Sequence, residues 1–98
     1  MSCAEISADI TNAFFGNVDL QASRCVFNKA TGASFYACSL KGADLHGSDN
    51  AIDLSDAVVD YETVFPDGST LERKHYDDYQ NISTKWGEVL FVANRYQP

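Results

Sequence analysis

Along most of this chain the small and large apolar positions repeat every five residues. In "ASFYACSLKGADLHGSD" (residues 33–49), Ala33, Cys38, Ala43 and Ser48 lie five apart, as do Phe35, Leu40 and Leu45. An amphipathic helix repeats every 3.6 residues and a half-buried strand every two, so neither supplies this period. Extending it gives a large position at Ile10, Phe15, Leu20, Cys25, Ala30, Phe35, Leu40, Leu45 and Asn50. The small position two residues earlier reads Ala8, Ala13, Val18, Ser23, Asn28, Ala33, Cys38, Ala43 and Ser48. After Asn50 the phase slips by one residue and resumes at Leu54, Val59 and Val64, preceded by Ile52, Ala57 and Glu62.

The pentads "ADITN", "VDLQA", "CSLKG" and "ADLHG" resemble the pentapeptide-repeat family, whose motif is A(D/N)LXX, and "DAVVDYETVFPDG" resembles the way such arrays finish. The resemblance covers residues 8 to about 68, and a phase held this long defines architecture better than any single motif. It implies an all-β fold: a right-handed quadrilateral parallel β-helix of about three coils, four pentads to a coil, with large and small residues inward. Stacking then predicts columns of Phe15, Phe35 and Leu54; of Leu20, Leu40 and Val59; of Cys25, Leu45 and Val64; and a poor one of Ile10, Ala30 and Asn50. Asn28 falls on the same poor side, where a bulge, a hydrogen-bond ladder or another register would serve.

The organisation expected is a repeat domain over residues 1–68 and a capping or dimerisation tail over residues 69–98. In the tail, Ile82, Trp86, Val89, Leu90 and Ala93 fit one helical face, which predicts a short helix over about 84–95. "VLFV" is equally good strand material, and Gly87 weakens a helix. An unclosed β-helix exposes strand edges and core at its ends. Trp86, Val89, Leu90 and Phe91 are therefore expected to cap one end or to pair two subunits, and a homodimer is expected.

Charge sharpens the picture because all of the formal net charge of -7 lies in the repeat. Residues 1–68 carry ten acidic against three basic side chains, and residues 69–98 carry four of each. Such a surface repels nucleic acid and membranes and attracts basic partners. No basic, apolar leader opens the chain and no apolar run could span a bilayer, so a cytoplasmic chain is expected. Cys3, Cys25 and Cys38 are odd in number, lack zinc-like spacing, and are expected to be reduced.

Candidate catalysis is confined to scraps, and the chain is expected not to be an enzyme. Asp44 and His46 could share a face, and His75 stands near two aspartates in "RKHYDDY", but both read more simply as surface or loop residues. No phosphate loop, nucleophile elbow or paired metal spacing is present, so neither metal nor cofactor is expected.

The resemblance carries a functional implication: the best-understood family members mimic duplex DNA and occupy the DNA site of DNA gyrase and topoisomerase. Here it implies an acidic inhibitor or modulator of a basic nucleic-acid-binding protein: gyrase or topoisomerase, or a host nuclease or defence complex if the chain is phage-derived. Asp9, Asp19, Asp44, Asp49 and Asp53 are the expected contacts. Three coils at about 4.8 Å cover only about 15 Å, against about 34 Å for a duplex turn, so mimicry would call for a dimer. The alternative is an interaction module anchored by Phe14 and Tyr36, with Phe27, Tyr61 and Phe65 also expected outward and the charge serving solubility.

Overall fold

The computed structural model describes residues 6–72 and 76–92. Among them there is no helix, and the chain is all-β. Its strands are β1 (Ile6–Asp9), β2 (Cys25–Lys29), β3 (Val58–Val59), β4 (Tyr79–Thr84) and β5 (Gly87–Val92). β1 pairs with β2 in parallel, and a second sheet has the order β3-β5-β4. Between the named strands, parallel bridges join Phe14 to Ser34 to Asp53, Asp19 to Ser39 to Val58, and Arg24 to Asp44 to Val64. The chain thus returns beside itself after 19 or 20 residues.

The five-residue period has a local cause. At each corner the carbonyl of the large residue accepts from the amide three residues on, as in Ala13 to Ile10, Val18 to Phe15, Cys38 to Phe35 and Ala43 to Leu40. The residue between them at Asn12, Asn17, Ala37 and Gly42 has positive φ, the backbone a type II turn requires. A turn every five residues leaves room for only a two-residue inward step between corners. That step explains the small-then-large spacing.

The side chains so delivered form the core: Leu20, Cys25, Ala33, Phe35, Cys38, Leu40, Ala43, Leu45, Leu54, Ala57 and Val59 are all buried. Phe15 lies stacked on Phe35, with ring centroids 5.0 Å apart. Other expectations need correction. Phe27 is buried, not outward: β2 runs straight through the expected corner, with a register irregularity between Ala8 and Asp9. Its ring sits 5.9 Å from Phe15 and 5.7 Å from Phe35. It fills the space that Ala30 is too small to fill, whereas Asn28 and Asn50 are exposed. Phe65 is also buried and Val64 is not fully so, because the last turn gains a residue. The expected small position, Glu62, is exposed, and Thr63 takes its place inside. Tyr61 is half-buried against the core.

Two buried hydroxyls mark the places where the period changes. The Ser48 hydroxyl accepts from the Phe27 amide at 3.0 Å and donates to the Cys25 carbonyl at 3.3 Å. Thr63 Oγ1 donates to the Leu40 carbonyl at 2.8 Å and accepts from the Asp60 amide at 3.1 Å. Each satisfies backbone groups that an apolar residue would leave orphaned in the core. Cys25 is disulfide-bonded and only Cys38 is a free, buried thiol among the described residues, which corrects the expectation of three reduced cysteines. An odd count forbids complete pairing and does not forbid one bridge. Because such bridges are rare in reducing compartments, one support for a cytoplasmic chain is lost. No helix among the described residues is long and apolar enough to cross a membrane.

The expected tail helix over 84–95 is replaced, as far as residue 92, by the β4–β5 hairpin, paired antiparallel from Tyr79↔Val92 to Thr84↔Gly87. β5 in turn lies beside the repeat: Leu54 N–H donates to the Trp86 carbonyl, Asp56 N–H to Glu88, and Leu90 N–H to Ala57. Open backbone groups on the last repeat row favour a strand here over the locally acceptable helix. The hairpin covers apolar surface as well. Trp86 stacks on Phe65 at 5.1 Å, and Phe91 meets Tyr61 and Tyr76, each at 4.9 Å.

Candidate functional site

Around the exterior, the parallel pairings define four ladders, and the expected acidic contacts are distributed among them. Asp9 pairs with Lys29, and Ala30 N–H donates to Asp49 in the row beyond. Asp53 shares a ladder with Phe14 and Ser34, Asp19 one with Ser39 and Val58, and Asp44 one with Arg24 and Val64. The five aspartates are therefore not gathered on one face. Only Asp9 and Asp49 share a side, with Lys29 in the row between them.

Each of these carboxylates has a local task. Asp9 accepts from the Thr11 hydroxyl at 2.7 Å and the Thr11 amide at 3.1 Å. Asp19, Asp44 and Asp53 accept from the amides of Gln21, His46 and Ser55 at 2.9 to 3.0 Å. Asp49 uses both oxygens, on Ala30 and Ala51. Asp67 repeats the pattern with Ser69 and adds Lys85 at 3.0 Å. These are Asx turns, in which aspartate satisfies an amide two residues on and fixes the corner. The Thr11 hydroxyl bond holds the Asp9 carboxyl below its ordinary range; the Ala30 amide does so for Asp49, and Ser69 for Asp67.

The aromatic expectation fares differently. Phe14 is 71% exposed and Tyr36 55%, so the described residues of the tail leave them open. Phe14 folds its ring over Gly16, where an added Cβ would collide with it. At that same corner Asn17 N–H donates to the Tyr36 carbonyl, and Ala37 N–H to Asp56 in the next row. One corner therefore carries Phe14, Tyr36 and Asp56 in successive rows. Beside it opens a groove of about 250 Å³, lined by Tyr36, Ala37, Asp56, Val58, Asn81 and Leu90. Sequence reasoning missed Asp56 and Asn81 as members of this site. Asp56 stands three residues past Asp53, at the positive-φ position of its corner and off the motif-aspartate position, and Asn81 arrives on β4, ahead of the helix expected over about 84–95.

Of the residues expected to cap or pair, Trp86, Val89 and Phe91 are buried within their own chain and Leu90 half-buried at the groove. The detachable apolar set on which the expected homodimer rested is thus used internally. The His46 amide donates to the Asp44 carboxylate, and the imidazole lies beside Gly68. His75 lies outside the described residues. No cluster of three metal-capable side chains occurs among the described residues. No protein-family model matches the chain, and no curated protein or solved structure is significantly similar to it.

Proposed function

We propose that this is a non-enzymatic binding protein of pentapeptide-repeat type, a right-handed quadrilateral β-helix, that acts by holding a basic, nucleic-acid-binding protein through its Phe14–Tyr36 corner. The repeat assignment draws support from turns at five-residue intervals and parallel pairing at 19 or 20 residues. The observation that carries the binding reading is the exposure of two large aromatics at one corner of a chain with formal charge -7. Exposed aromatics anchor interfaces, and a like-signed field steers an oppositely charged partner toward them.

Duplex mimicry is the second reading, favoured by the net charge and by carboxylates held rigidly outward. It makes the protein an inhibitor of a DNA-binding enzyme such as a gyrase, a nuclease or a defence complex. Against it stand the division of the aspartates among four ladders and their use as turn caps.

The two separate in one experiment: inhibition of DNA gyrase or a captured nuclease, measured at rising salt with duplex DNA as competitor. Phe14→Ala with Tyr36→Ala should weaken inhibition at least tenfold with little change in salt slope. The triple variant Asp19→Asn, Asp44→Asn, Asp53→Asn keeps an accepting oxygen at each corner, and should leave the fold intact while flattening the slope. Asp49 is unsuitable because both of its oxygens accept. If the aromatic variant inhibits like the parent while the triple variant does not inhibit, mimicry is the correct reading.

A further inference from the structure

We infer that the groove beside Tyr36 receives a single arginine side chain of a protein partner, an inference that rests on the binding reading above and gives it a chemical contact. The groove joins an apolar floor of Ala37, Val58 and Leu90 to three polar side chains, Tyr36, Asp56 and Asn81. Among the described residues none of these three side chains has a hydrogen-bond or ionic partner within the chain. Asp56 is set apart from the other repeat aspartates for a backbone reason. It occupies the left-handed position of its corner, with φ 64°, where Gly42 stands at another corner. Asn12, Asn17 and Ala37 hold the same backbone at other corners, and aspartate tolerates it, so this turn sets the Asp56 carboxylate at the groove wall.

The size and charge select the occupant. At about 250 Å³ the groove lies below the range of about 300 to 1,000 Å³ usual for small-molecule sites, and suits one long side chain. Its only ionisable lining groups are Asp56 and the Tyr36 phenol, and no cationic side chain lines it, so an anion is disfavoured. A guanidinium offers a flat face for the Tyr36 ring, a fork of donors for the Asp56 carboxylate and further donors for the Asn81 amide oxygen. Lysine supplies the charge without the plane or the fork.

The test is an amide-resolved NMR titration of the whole protein with N-acetyl-arginine methylamide. The neutral, near-isosteric N-acetyl-citrulline methylamide serves as control. Saturable shifts confined to Tyr36, Ala37, Asp56, Val58, Asn81 and Leu90 are expected, with Kd between about 5 and 50 mM as befits one side chain. Asp56→Asn and Tyr36→Ala should each weaken binding at least fivefold while the remaining amide spectrum keeps its parent positions. Shifts without saturation, shifts spread over the other aspartates, or equal binding of the citrulline probe would overturn the inference. It is overturned independently of the functional reading, which stands or falls on inhibition by the double variant Phe14→Ala, Tyr36→Ala. Saturable arginine binding with inhibition unchanged in that variant would support the groove and remove the functional reading alone.

Discussion

At the scale of single residues, the fold depends on polar atoms that act as splints. Thr63 is fully buried, yet its hydroxyl bonds two backbone groups from different rows. Thr63→Val keeps the shape and removes both bonds, so a loss of about 1 to 3 kcal/mol is expected in urea denaturation. A loss below about 0.5 kcal/mol would mean that the hydroxyl is incidental. The outward carboxylates predict an acid limb. Asp9, Asp49 and Asp67 have depressed folded values. Their contribution is therefore complete above the unfolded value of about 3.9 and disappears as pH falls through the lower folded values. Melting temperature should therefore fall as the pH is lowered below about 4. Ser69→Ala, which removes the main cause of the Asp67 depression, should make that limb shallower. Burial pushes the Cys38 thiol up to about 11, helped by nearby Asp19. It should resist alkylation in the native protein at neutral pH and react once the chain is unfolded. The sequence placed Cys38 inward and Asp9 and Asp49 outward, but it did not single out Thr63. Ser48 and Glu62 sat where the pentad pattern frayed, and a frayed pattern does not say whether the chain gains or loses a residue.

At the scale of elements, the repeat rows were legible and the tail was not. Phe35, Leu40 and Leu45 were identifiable as interior because a turn chemistry repeated every five residues leaves them no other direction. The hairpin was hidden because Ile82, Trp86, Val89 and Leu90 satisfy a helical face and a strand alternation alike. What decides is a partner distant in sequence, the open row at Leu54–Val58, and local propensity carries no information about it. Gly87 was the available clue. With φ 112° it closes the β4–β5 turn, and an added Cβ would lie 2.3 Å from Ser55 Oγ and 3.1 Å from the Ser55 amide nitrogen. Gly87→Ala should therefore destabilise by about 1 to 3 kcal/mol through backbone strain alone. A helical tail would respond in the opposite sense, since alanine favours helix over glycine. Circular dichroism with thermal melting separates the two outcomes.

At the scale of the whole molecule, two quantities bear on what the chain can imitate and whether it needs a second copy. Its principal extents are 36 × 25 × 23 Å. The long axis alone matches the duplex turn that a bare three-row stack was expected to miss. Length is therefore no reason for dimerisation, and the apolar tail is no longer available to supply it. A monomer is expected at high micromolar concentration by light scattering, with Trp86 already in an apolar environment. Charge is the harder constraint. A duplex of the same length presents about 21 phosphates at one per 1.7 Å, against a formal net charge of -7 for the whole chain. A duplex gives up its own condensed cations when a basic partner binds it, and a protein with about a third of the charge density has correspondingly fewer to give up. Its affinity for a basic cleft should fall with salt at no more than about a third of the logarithmic slope that duplex DNA shows for the same partner. A slope equal to that of DNA would place the carboxylates, and not the Phe14–Tyr36 corner, at the centre of the contact.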